Sequence, residues 1–158
     1  LAVEGDPNIM TFGNKIKRYI YQVIASELSQ ITRYYDDVIQ LFPRKEDSGL
    51  LLDLLSCPKK TCAAAEEIPD LAGESDVRKA VLINGSFNYV YDIQGILAKM
   101  KEKASRNTRV LLVVYNPYLS FLYRLANTLG MRSGATATSF INRNGLENIV
   151  QLSGFELV

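Results

Sequence analysis

Ala80-Val81-Leu82-Ile83-Asn84-Gly85-Ser86, then Asp92 through Lys103, then Arg109-Val110-Leu111-Leu112-Val113-Val114-Tyr115-Asn116-Pro117 together decide the fold. The first run is apolar at consecutive positions and ends in a turn at Asn84-Gly85-Ser86. The middle segment repeats Ile93, Ile96, Leu97 and Met100 on one helical face. The last run is again apolar without alternation and closes at Asn116-Pro117. Strands covered on both faces read this way, and an amphipathic helix between two of them makes a βαβ unit in a parallel sheet. Ligands of open parallel sheets sit beyond the carboxyl ends of the strands. That places Asn84, Gly85 and Ser86 after one strand, and Tyr115 and Asn116 after the next, at the expected site.

Working outward, the chain of 158 residues favours one domain. It divides into an N-terminal helical segment, 1–48, and a sheet-forming region, 49–158. Hydrophobic residues make up 47% and charged residues 22%, the balance of an ordinary globular chain. The net charge of +1 argues against nucleic acid or an anionic membrane as partner. No apolar run reaches the roughly 18 residues needed to span a bilayer, and no basic-then-apolar signal opens the chain. A cytoplasmic protein is therefore expected. There is no histidine, which removes Ser-His-Asp and Cys-His chemistry, and no metal site is expected from two cysteines and carboxylates alone. Cys57 and Cys62 are spaced C-x4-C rather than C-x2-C, so two reduced thiols are expected.

From about Asn14 to Leu41 the residues Ile16, Ile20, Val23, Ile24, Leu28, Ile31, Tyr35, Val38 and Ile39 recur at three- and four-residue steps. This predicts one long helix, stopped by Pro43. Tyr19, Tyr21, Tyr34 and Tyr35 border its stripe, as an aromatic lid over a ligand or as packing at a core rim or dimer contact. A helix this apolar makes a homodimer through the N-terminal helix plausible. Leu50 to Leu55 reads either as a buried strand with Asp53 near its end or as the start of a helix, and is too short for periodicity to decide. Ser56 to Cys62 reads as a loop in which Lys59 and Lys60 hold an anion or form a solvated pair. Cys62 to Glu67 reads as helix, and Asp70 to Lys79 as a charged loop. A further helix is expected after Pro117, with Gly130 as its stop, then a loop over Arg132 to Thr138. A last helix spans Gly145 to Ser153 with Asn144 as a cap, and Phe155 to Val158 begins a strand.

The second half resembles the class I S-adenosylmethionine-dependent methyltransferase family. The likeness rests on the strand ending in Asn84-Gly85-Ser86, the helix from Asp92, the run Thr108 to Pro117, and the ending in which a helix leads to Ser153-Gly154-Phe155-Glu156. It covers about Val77 to Val158, with a weaker echo at Arg33-Tyr34-Tyr35-Asp36. It implies a Rossmann-like, mostly parallel α/β sheet flanked by helices. It also implies S-adenosylmethionine as cofactor and a small-molecule acceptor. On this analogy Asn84, Gly85, Ser86 and, as a first-strand acid, Asp53 face the cofactor, while Tyr89, Tyr115 and Asn116 face the acceptor. Members of the family carry a glycine-rich turn after the first strand. Here the slot after Leu55 is Ser56-Cys57-Pro58-Lys59-Lys60, without glycine, and no second-strand acid for the ribose is evident. Only about 25 residues, 56 to 80, separate Leu55 from Val81, too few for the intervening units, so an incomplete or degenerate sheet is expected. Without the cofactor, the same residues describe a non-catalytic α/β module that acts through self-association or protein binding. Asn84-Gly85 is then a tight turn and Asp92 a helix cap.

Overall fold

The computed structural model describes residues 7–43, 49–63, 68–72, 76–90, 92–128, 137 and 139–158. Four strands form one all-parallel sheet: β1 (Asp37–Leu41), β2 (Lys59–Cys62), β3 (Lys79–Asn84) and β4 (Thr108–Val113), in the order β2-β1-β3-β4. Helix α1 (Pro7–Thr32) precedes the sheet, and α2 (Leu50–Leu54) follows β1. Helix α3 (Ile93–Lys103) joins β3 to β4, and α4 (Ser120–Thr128) and α5 (Arg143–Leu152) follow β4. The architecture is Rossmann-like α/β, and the expected βαβ unit from β3 through α3 to β4 is present with its strands parallel. None of the described helices is long and apolar enough to cross a membrane.

The sheet is central because β1 and β3 are buried on both faces. All five residues of β1 are buried, as are five of the six in β3. Ile39, Leu41, Val81 and Ile83 pack against Ile93, Leu97 and Met100 of α3 and Val150 of α5. On the opposite face Val38, Ala80, Leu82 and Leu111 pack against Tyr21 and Ala25 of α1 and Leu51 and Leu52 of α2. Asp92 caps α3 by accepting a hydrogen bond from the Gly95 N–H at 2.9 Å. Asn142, rather than the expected Asn144, caps α5 in the same way at 2.8 Å.

The helix expected over 14–41 is two elements. Thr32 ends α1, and its hydroxyl donates to the Ser56 carbonyl at 3.1 Å. Asp36 then exchanges hydrogen bonds with Arg78: its N–H donates to the Arg78 carbonyl at 2.9 Å, and its carboxylate accepts from the Arg78 N–H at 2.8 Å, which starts β1 beside β3. That N–H and the Arg78 guanidinium hold the exposed Asp36 carboxyl below its usual range. The apparent helical period carried on because a strand buried on both faces is apolar wherever it is sampled, so Val38 and Ile39 extended the ladder from Tyr35. The first strand therefore lies at 37–41. The Leu50 to Leu54 run is helix, as leucine's propensity favours, and Asp53 is an exposed residue on it rather than a strand-end acid.

Other expectations need correction too. Residues 59–62 form the solvated edge strand β2 instead of a loop, and Cys62 ends that strand instead of opening a helix. Pro7–Met10 belong to α1 rather than to an arm. Phe155 to Val158 is not a strand: Gly154 turns the chain with φ +77°, and Phe155 N–H donates back to Val150. Glu66, Glu67, Gly130, the loop from Arg132 to Thr136 and Thr138 lie outside the described residues. Both cysteines are free thiols.

Candidate functional site at the carboxyl rim of the sheet

In the order β2-β1-β3-β4 the chain leaves β1 toward one edge and returns at β3 on the other side, so the topological switch point lies between β1 and β3. Its rim is built from the turn after β3. Gly85 adopts φ +69°, and its N–H donates to the Val113 carbonyl at 2.7 Å, tying the end of β3 to the end of β4. A Cβ at this position would lie 3.3 Å from Tyr115 Cε1 and 3.4 Å from its hydroxyl. Glycine is thus required twice, for its backbone angle and for the ring laid against it. Gly85→Ala is expected to cost about 1–3 kcal/mol, since the left-handed conformation alone costs roughly 1–2. Urea unfolding followed by tyrosine fluorescence measures this directly, the chain having no tryptophan. An unchanged midpoint would contradict the contact.

The remaining rim residues are engaged in distinct ways. Ser86 Oγ donates to the Phe42 carbonyl at 2.7 Å and so bridges the switch point itself. Asn84 is buried on the α1 side, and its Nδ2 donates to the Tyr21 hydroxyl at 3.4 Å. Asn88, which sequence reading passed over, is a clamp with 2% exposure. Its Nδ2 donates to the Ser139 carbonyl at 2.7 Å, and its Oδ1 accepts from the Tyr115 N–H at 2.9 Å. Tyr115 is held from both sides by rings, edge-on to Tyr89 at 6.2 Å and stacked on Tyr123 at 4.9 Å. Phe140 continues the row at 6.0 Å from Tyr123. Beside this row opens a cleft of about 570 Å³ lined by Pro117, Tyr118, Phe140, Ile141 and Asn142.

Of the expected site residues, Asn84, Gly85, Ser86, Tyr89 and Tyr115 are brought together. Asn116 is exposed, and its Oδ1 accepts from the Tyr118 N–H at 2.9 Å, so it caps the short turn Pro117–Leu119. Asp53 sits apart on α2, where its carbonyl accepts from Lys60 Nζ at 2.8 Å. Lys59 pairs with Asp37 at 3.1 Å beside a second recess of about 340 Å³ that runs from the amino ends of β1, β2 and β3 past Ile39 and Thr61 to Ala63. Of the bordering tyrosines, Tyr21 is buried against the sheet and Tyr35 half-buried, while Tyr19 and Tyr34 are exposed.

With β1 relocated, the segment that would need glycine runs from Phe42 to Gly49, and its one glycine is Gly49, at φ +84° immediately before α2. Phe42 holds φ +51°, a left-handed angle that a bulky side chain seldom adopts, and it packs against the core. The strand β2 ends at Cys62 with Ala63 next, and among the described residues no carboxylate stands at its tip. The polar residue near the end of β1 is Gln40, 2% exposed, with no hydrogen-bond partner for its Oε1. It faces the same side of the sheet as Leu82 and Asn84. Among the described residues of the rim, Asn84, Ser86, Asn88 and Tyr115 supply hydrogen-bonding and stacking groups.

No protein-family model matches the chain, and no curated protein or solved structure gives a significant match.

Proposed function

We propose that this chain is a class I methyltransferase-like α/β domain that binds a small, neutral or zwitterionic molecule at the carboxyl rim of its sheet. One observation supports the reading above the others: the parallel register of β3 and β4 sets Asn84 level with Val113 and the following Gly85 against the Tyr115 ring, at the rim next to the switch point. The open cleft lined by Pro117, Tyr118, Phe140, Ile141 and Asn142, at the far end of the ring row from Tyr115, is assigned to the acceptor. S-adenosylmethionine is the proposed cofactor. Phe42, at φ +51° and packed against the core, does not fit as the backbone approach to the cofactor's methionine end, so no transfer step is derived. A transferase of this type needs alignment more than acid–base groups. The cytoplasm is the proposed compartment, and nucleic acid and membrane are not proposed partners.

The unfavourable turn also supports a second reading, a non-catalytic module of the same fold that acts by self-association or protein binding. Calorimetric titration with S-adenosylmethionine and S-adenosylhomocysteine separates the two. Under the first reading binding is saturable and weak, with Kd on the order of 0.1–1 mM, because only one side of the cradle is present. Asn84→Ala then weakens it at least about tenfold. Absence of heat at millimolar ligand sinks the first reading and leaves the second.

A further inference from the structure

Helix α1 runs antiparallel to the strands it covers. Its last residue, Thr32, meets Ser56, and Asp36 just beyond it is tied to Arg78 at the amino end of β3. Earlier in the helix, Tyr21 meets Asn84, the last residue of β3. The part of α1 from Pro7 to Ile20 therefore overhangs the carboxyl rim, by about 20 Å at 1.5 Å per residue. Lys15, Ile16, Arg18, Tyr19 and Ile20 are exposed there, and Tyr21 is the first residue after them that is buried. At that contact the rim is shut. Asn84 is 5% exposed, so a ligand reaches its amide only when Tyr21 moves away. The fastening is weak: the bond from Asn84 Nδ2 to the Tyr21 hydroxyl, at 3.4 Å, is longer than usual. On the same face of the sheet, the buried Gln40 keeps an Oε1 with no partner. A polar cluster that is only partly satisfied costs free energy while it stays covered, and water or a ligand relieves that cost once it is uncovered.

We infer that the amino-terminal half of α1 is a lid on the switch point, fastened by the Tyr21–Asn84 hydrogen bond and biased to open by the stranded Gln40 oxygen. The carboxyl-terminal half is the fixed part. Ser29 Oγ accepts from the Ser56 N–H at 3.0 Å, and the Thr32 hydroxyl donates to the Ser56 carbonyl at 3.1 Å. The shut form hides Asn84, and the open form presents Asn84 and Gln40 together. The motion belongs to the ligand-free chain; only its effect on affinity rests on the reading of the rim as a ligand site.

Relaxation dispersion of the ligand-free chain tests the lid, on the side-chain amides of Asn84 and Gln40 and the backbone amides from Ile20 to Ala25. One exchange process in the microsecond-to-millisecond range should fit all of them. Tyr21→Phe keeps the ring but strands the Asn84 amide in the shut form, so the open population should rise about threefold or more. Gln40→Met removes the stranded oxygen. It should lower the open population by a similar factor, with a melting temperature no lower than that of the wild type. Calorimetric titration with S-adenosylhomocysteine reads the consequence. While the shut form prevails, apparent affinity scales with the open fraction, so Tyr21→Phe should bind about threefold tighter or better. Flat dispersion profiles in the wild type and both variants, or an open population that Tyr21→Phe leaves unchanged, overturn the lid. Exchange as expected, with unchanged or weaker binding by Tyr21→Phe, overturns its control of the site. Exchange as expected with no binding by any of the chains sinks the reading of the rim and leaves the lid standing.

Discussion

Phe87→Ala is expected to destabilise the chain by about 3–5 kcal/mol, the usual cost of emptying a buried phenylalanine site. Phe87 is 1% exposed and lies in the short turn Ser86–Tyr89, directly between the rim residues Ser86 and Asn88. Its ring belongs to the same cluster as Val81, Ile83, Ile93 and Leu97. The side chain therefore anchors the rim into the core beneath it. At roughly 2–4 °C per kcal/mol for a chain of this size, the melting temperature should fall by about 6–20 °C. Differential scanning calorimetry reads this directly. A fall of only a degree or two would mean that the turn is not seated as described. Phe87→Leu, which keeps most of the volume, should recover more than half of the loss.

Asn88→Ala is the second large effect, expected at about 2–4 kcal/mol. The substitution strands two partners at once, the Tyr115 N–H and the Ser139 carbonyl, and each buried group left unpaired costs roughly 1–3 kcal/mol. The loss should also loosen the Tyr115 ring, because its backbone is fixed by Asn88 Oδ1. Near-UV circular dichroism of the tyrosines should drop more in this variant than in an equally destabilised core variant such as Leu82→Ala. Asn88→Asp keeps the acceptor for Tyr115 and loses the donor to Ser139, so it should retain more of the tyrosine signal than Asn88→Ala. Equal signals from the two variants would contradict the clamp.

How far the fold could be read from residues depended on how each strand meets solvent. The unit from β3 to β4 was legible because Ala80 to Ile83 and Val110 to Val113 are apolar at every position, and Asp92 announces its helix as a cap. The strand β1 is just as buried but follows a helix whose stripe happens to continue into it, so Val38 and Ile39 read as one more turn. The edge strand β2 is Lys-Lys-Thr-Cys, nearly all exposed, and carries no apolar pattern to detect; edge lysines are how sheets avoid further pairing. The Leu50 to Leu54 run had the right composition for either state, and tertiary packing under α1 decided it.

The site was partly legible for a similar reason. Asn84, Gly85 and Tyr115 follow from strand ends, which local sequence marks. Asn88 does not, since its carbonyl partner is 51 residues away and its N–H partner 27. Gln40 left a signal that the helix assignment hid, an amide inside the run Val38 to Phe42. Asp53 and Asn116 were placed by analogy to strand ends that proved to be a helix face and a turn cap.

Two-dimensional ¹H–¹⁵N correlation spectra of the chain, recorded while S-adenosylhomocysteine is added, test the assignment of function to the carboxyl rim most directly. The account predicts concerted, saturable shifts at the backbone amides of Gly85, Asn88 and Tyr115 and at the Asn84 side-chain amide, with Lys59 and Lys79 at the amino ends unmoved. Shifts confined to those amino ends, or a rim that stays still at millimolar ligand, would contradict it.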